Sequence, residues 1–239
     1  MLDIFATDPE AKAQREEREA ARERATRPTF DFQLRSGKRN GNKPVSLRKW
    51  RITTPKNEVA QAFKELFGGT ISEAPNGDYA VDTDTDRLEV VVDASKIESK
   101  LIQWADGLPI HECDGSKYLS PEEDKGKPCG CPKILAERKD LAKQRRGPKP
   151  NIVIPLRLAQ DEELGLGKYT ATAWSFAEDL PYTMQALSKI DGEALCVLRL
   201  EYVEYEVNGE ARSFTKPVLD VVKAFAEAIA DDPDEEPAY

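Results

Sequence analysis

Apolar and polar positions along this chain follow two periods, and the changes of period mark its elements. After Pro55, TPKNEVAQAFKELFGG spaces Val59, Phe63, Leu66 and Phe67 three and four apart. That spacing predicts an amphipathic helix with those four residues on one face and Gly68 at its end. KWRITT before it, and TISEAP, DYAVDT and RLEVVVD after it, alternate or run apolar between turn residues. They predict antiparallel strands. The order then recurs. GKYTATAWS predicts a strand, and residues 177–190 predict a helix with Leu180, Met184 and Leu187 inward. EALCVLRLEYVEYEV, Asn208-Gly209 and ARSFTKPVLDV predict a hairpin with long arms. Strand–helix–hairpin thus occurs around residues 48–93 and again around 168–220. The expected fold class is α+β, with two such units of antiparallel sheet packed together and joined by a Cys/His loop.

Five segments are expected: a charged helix over 1–29, a first α+β unit over 30–110, the Cys/His loop and a basic helix over 111–150, a second α+β unit over 151–226, and an acidic tail over 227–239. In residues 8–27, Arg and Glu fall at i,i+3 and i,i+4 without an apolar stripe. This predicts a solvated, partly frayed helix that Pro28 ends. After Ala226 the chain has acids and no base, so its last ten residues are expected to be disordered.

Composition narrows the function. Charged residues make up 33% and the net charge is −9, which weighs against coating DNA as the main task but leaves room for a local basic patch. One such patch stands out. Between Phe32 and Asn57 there are eight bases and no acid. A contact surface is favoured over a merely solvated hairpin, with Arg35, Lys38, Arg39, Lys43, Arg48 and Lys49 as candidates. A second basic run, Arg138, Lys139, Lys143, Arg145, Arg146 and Lys149, falls on a predicted helix and could simply face water. The opening residues lack an apolar h-region, so neither a signal peptide nor a membrane span is expected, and the protein is placed in the cytoplasm.

The chemistry concentrates in one place. The only histidine, His111, stands two residues before Cys113, and after fifteen intervening residues come Cys129 and Cys131. Two tight pairs of soft donors, joined by a polar loop with almost nothing apolar to bury, suit a structural zinc. The alternatives are a disulfide, which a reducing cytoplasm disfavours, plain reduced thiols, and a cysteine nucleophile. Cys196, in ALCVLRL, reads as a core thiol. Trp50, Trp104 and Trp174, beside strands, read as core as well. Asp82, Asp84 and Asp86 alternate like a cation loop but lack the glycine and bidentate Glu of an EF-hand, so a turn explains them better. No phosphate-cradling glycine loop and no nucleophile elbow is present. With one histidine close beside its nearest cysteine, an enzyme is not expected.

The order of motifs carries a resemblance. It runs RSGKRNGNKPVSLRKWRITTP, Gly68-Gly69, LEVVVD, QWADGLPIHECDG, CGCP, IVIPLRL, GKYTATAWS and LRLEYVEYEVNG with FTKPVLDV. Over about residues 30–222 this resembles the recombination directionality factors that accompany large serine integrases in actinobacterial phages and prophages. In the family a further cysteine follows Cys-x-Cys, just before the strand that here reads IVIPLRL. This chain has Gly147-Pro148-Lys149-Pro150 there, so either His111 supplies the fourth donor or the site has three ligands. The resemblance implies a non-catalytic protein that binds a large serine integrase at its coiled-coil region in the DNA complex. It implies a switch from attP × attB integration to attL × attR excision, with direct DNA contact secondary or absent. The alternative is a zinc-containing nucleic-acid-binding protein of early phage replication, using the two basic runs. A hydrolase using Cys113 or Cys129 is a third reading.

Overall fold

The structure, a computed structural model, describes residues 10, 12–14, 29–40, 43–74, 76–207 and 209–230. The acidic tail from residue 231 and most of the expected N-terminal helix lie outside them; Glu10 and residues 12–14 are helical. From Asp31 onward the chain forms one compact unit. Its strands are β1 (Phe32–Asn40), β2 (Lys43–Thr54), β3 (Thr70–Glu73), β4 (Tyr79–Asp82), β5 (Arg87–Asp93) and β6 (Glu98–Ala105). They continue as β7 (Leu108–Cys113), β8 (Tyr118–Ser120), β9 (Lys149–Leu158), β10 (Gly167–Ala171), β11 (Glu193–Val207) and β12 (Glu210–Ala224). The helices are α1 (Asn57–Phe67), α2 (Leu135–Lys143), α3 (Trp174–Leu187) and α4 (Phe225–Ala230). Among the described residues no helix is long and apolar enough to cross a membrane.

All twelve strands join one mixed sheet, in the order β12-β11-β5-β9-β10-β1-β2-β4-β3, with β6, β7 and β8 branching from β9. Every pairing is antiparallel except β1 with β10. Strand–helix–hairpin does recur, as β2–α1–β3–β4 and β10–α3–β11–β12. The two stretches nevertheless do not stand as separate packed units. They interleave, because β10 pairs with β1 and β11 pairs with β5. One apolar core serves both. It takes alternate residues from neighbouring strands, such as Leu34, Ile52, Val90, Ile154, Leu156, Tyr169 and Leu198, together with Phe63 of α1 and Phe176 of α3. Stretches this short bury a smaller fraction of their surface alone than they do in one shared core, which favours merging.

Several local expectations shift. In α1, Leu66 is exposed and Ala60 is buried in its place, because the buried face centres between Val59 and Phe63. The strand expected through Ser175 stops at Ala171, and α3 begins at Trp174, three residues earlier than its apolar pattern indicates. Gly167 at the start of β10 is dictated by packing: a Cβ there would lie 2.1 Å from the Phe32 ring. Asp31 ties the start of β1 to the connection before β10. Its carboxylate takes the Lys56 ammonium at 2.6 Å and accepts from the Leu166 amide at 3.0 Å.

The expected turn at Asp82 to Asp86 is present and does structural work. Thr83 is buried, with its hydroxyl donating to the Trp50 carbonyl at 2.7 Å, and the Trp50 indole donates to the Asp86 carbonyl at 3.0 Å. Leu200 donates its amide to the same carbonyl at 2.8 Å. Thus β2 and β11, far apart in strand order, are brought together, and the sheet curls around its core. Trp50 and Cys196 are fully buried as expected, whereas Trp104 is half exposed.

Candidate metal centre

The branch formed by β6, β7 and β8 carries the site. The β6–β7 hairpin turns at Asp106-Gly107, and its outer end leaves Trp104, Leu108 and Ile110 exposed. Its inner end pairs Gln103 with His111 and Leu101 with Cys113, so both first-pair donors point from one face of β7. Asp114 then turns the chain. Its carboxylate accepts the amides of Ser116 at 2.7 Å and Lys117 at 2.8 Å. The returning segment is held by the Lys117–Pro128 bridge and by the Cys129 amide donating to Ser116 at 2.9 Å. Gly130, with φ +70°, supplies the left-handed step that lets Cys129 and Cys131 face the same point.

The four donor atoms of His111, Cys113, Cys129 and Cys131 all lie within 4.8 Å of one another. The Cys113 and Cys131 sulfurs are 3.9 Å apart, and the Cys131 sulfur is 3.4 Å from His111 Nε2. A tetrahedral ion with thiolate bonds of about 2.3 Å and imidazole bonds of about 2.0–2.1 Å requires edges of about 3.8 and 3.5 Å. The residues therefore fit a four-coordinate metal, and His111 stands where the fourth donor is needed. All four cysteines are free thiols.

Electrostatics point the same way. Burial pushes the Cys113 thiol up to about 12 and also raises that of Cys131, in each case with a neighbouring sulfur adding to the effect. Burial lowers the pKa of His111. By itself the pocket thus favours neutral thiols, and a cation is what would hold thiolates there. Cys113, Cys129 and Ile102 are buried, yet none belongs to the main core. The His111 ring packs against Tyr118 at 4.7 Å.

One residue of the site was not legible in the sequence. Arg138 of α2, expected only as part of a basic run, donates from Nη2 to the Gly115 carbonyl at 2.6 Å and from Nε to the Pro132 carbonyl. It clamps the loops that follow both donor pairs. A lone arginine in a basic helix gives no sequence signal of this, since both acceptors are main-chain carbonyls, which any residue type supplies.

The basic stretch forms the β1–β2 hairpin, with a register shift between Arg35 and Gly37. The side chains of Arg39 and Lys43 lie outside the described residues. Lys49 pairs with Asp84 at 2.9 Å, Arg51 with Asp82 at 2.9 Å, and Lys38 lies 3.8 Å from Asp82. The Arg48 guanidinium sits 3.8 Å over the Tyr202 ring of β11. Part of the eight-base run therefore answers the chain's own carboxylates and an aromatic ring.

A family model described as Gp3-like, recombination directionality factor-like matches residues 30–222. No solved structure matches the chain.

Proposed function

The chain belongs to the Gp3-like, recombination directionality factor-like family, and from that premise we propose that it binds a large serine integrase and redirects it from integration to excision. Family membership over residues 30–222 is the observation that carries this reading. The factor acts without turnover. It prefers the integrase arrangement that permits attL × attR synapsis, and that differential affinity shifts the equilibrium between products. A preference of a few kcal/mol is enough to invert a product ratio.

Two surfaces suit such a partner. The apolar end of the β6–β7 hairpin, with Trp104, Leu108 and Ile110, is an exposed patch of the kind that marks protein contacts. The basic β1–β2 hairpin offers charge to the acidic flanking positions of a coiled coil. Zinc at His111, Cys113, Cys129 and Cys131 would be structural. It supplies the cross-link that orders the branch and fixes the hairpin for binding. The internal pairing of Lys49 and Arg51 weighs against a phosphate-tracking role for the hairpin.

The deciding experiment is recombination with the integrase encoded in the same phage or prophage. Excision of attL × attR only on addition of this protein, with attP × attB suppressed, is the expected result. No effect on either reaction, with the integrase shown active, would return the weight to a nucleic-acid-binding role. That role has its own signature, binding to free DNA that weakens steeply with salt.

A further inference from the structure

The outer face of the sheet holds a charge arrangement that folding alone does not require. Arg35 of β1 stands directly opposite Arg51 of β2. Like charges at a paired position repel and destabilise a sheet. Only Arg51 is fully answered: its Nη1 donates to both oxygens of Asp82 at 2.9 Å. The Arg35 guanidinium makes no hydrogen bond or salt bridge among the described residues. Although the residue is exposed, desolvation of its guanidinium lowers its pKa. Asp78 opposes that shift and Arg51 adds to it. Lys168, on neighbouring β10, is lowered by burial and by Arg35 itself. An uncharged residue at position 35 would suit the fold better.

Arg35 lines an open groove of about 870 Å³, between the β1–β2 hairpin and Ala74, Asn76 and Asp78. Lys38, Arg51 and Lys149 share its lining with the hydroxyls of Ser46 and Thr53. Lys149 also has no salt bridge among the described residues. Cations from three separate strands converge there, and among the described residues Asp78 is the only carboxylate in the lining.

We propose that this groove binds the carboxylate side chains of an acidic protein segment, with Arg35 as the anchor and Lys149 and Lys38 supporting it. A guanidinium takes a carboxylate with two parallel hydrogen bonds, which neither lysine can do. A polynucleotide fits less well. Its evenly spaced phosphates would meet Asp82, which pairs with Arg51 and Lys38 of the lining, on a molecule of net charge −9. A peptide can place one or two carboxylates and keep neutral residues elsewhere. The inference rests on the protein-binding reading above and names the chemistry of one contact.

The test uses full-length protein and three fluorescein-labelled probes: a ten-residue oligoglutamate, a ten-residue oligoglutamine and a thymidine decanucleotide. Anisotropy should show oligoglutamate binding, at least tenfold weaker in Arg35→Gln and several-fold weaker in Lys149→Gln, with oligoglutamine silent. Arg35→Gln should melt no lower than wild type, because it removes a cross-strand repulsion. Oligoglutamate affinity unchanged by both substitutions would overturn the proposal. So would a large drop in the melting temperature of Arg35→Gln, which would make Arg35 structural. Tighter binding of the thymidine probe with the same Arg35 dependence would assign the groove to nucleic acid instead. Copurification with the integrase separates the two readings. Integrase bound without any Arg35-dependent peptide binding sinks the groove alone. Arg35-dependent peptide binding with no integrase bound sinks the integrase reading alone.

Discussion

The main sheet and the β6–β7–β8 branch belong to one sheet but are ordered by different forces. In the main sheet, alternate side chains from neighbouring strands fill a shared core closed by α1 and α3. The branch has few apolar residues inside and several outside. Its interior is Cys113, Cys129, Ile102 and the His111–Tyr118 contact. The first is held by non-directional burial, which tolerates repacking. The second depends on four directional donors and on Arg138, each of which either meets its partner or loses it. The branch thus gathers four donors that could hold a metal ion, while the main sheet is closed by apolar packing.

The sharpest way to break this comparison is to remove one donor. Cys129→Ser is expected to abolish metal binding and to expose amides 108–132 to hydrogen exchange, with the main sheet still protected. Structural zinc contributes about 10–16 kcal/mol of apparent free energy in zinc-finger peptides, so loss of the branch fold is the expected scale. Cys196→Ser, in the main core, should keep its metal. Equal metal content in wild type and Cys129→Ser would remove the centre altogether. The reciprocal cut is Leu156→Ala, which should cost about 2–5 kcal/mol in denaturant titration by leaving a cavity. It should leave metal stoichiometry unchanged.

A smaller effect sharpens the boundary. Arg138→Ala removes charge-assisted bonds to two carbonyls and should destabilise the branch by about 1.5–3 kcal/mol. It would be read as faster metal release to a chelator, with the global melt little moved. A release rate equal to wild type would reduce Arg138 to a solvated helix residue.

The smallest effect lies in the main sheet. The Lys56 ammonium holds the Asp31 carboxylate below its ordinary value of 3.8. A lowered carboxylate stabilises the fold above that value, and the contribution fades as pH falls through the folded-state pKa. Lys56 is raised by the same pair, so at the alkaline end the contribution persists above pH 10.5 until the folded lysine deprotonates. Asp31→Asn should therefore lower stability slightly at neutral pH, as loss of a solvent-screened pair does. The difference from wild type should shrink below about pH 4. A difference independent of pH would assign the effect to packing.

Much of this molecule could be read from its residues. Period-two stretches became strands and the Val59–Phe63 spacing became α1, because local periodicity and burial have the same cause. His111, Cys113, Cys129 and Cys131 were recognisable as a donor set, because tetrahedral ligation needs close pairs on tight turns. The order of motifs pointed to the family over the same residues that its model matches. Tertiary structure decided what depends on positions distant along the chain. Interleaving of the two strand–helix–hairpin stretches follows from β1–β10 and β5–β11 pairing, which no local pattern encodes. Whether His111 completes the donor set was open until β7 and the Cys129–Cys131 turn were brought within 4.8 Å. The basic run had one sign in sequence, but pairing with Asp82 and Asp84 neutralised part of it and left Arg35 facing Arg51. Residue type and spacing fix what a side chain can do, while its partners are chosen by strand register and packing.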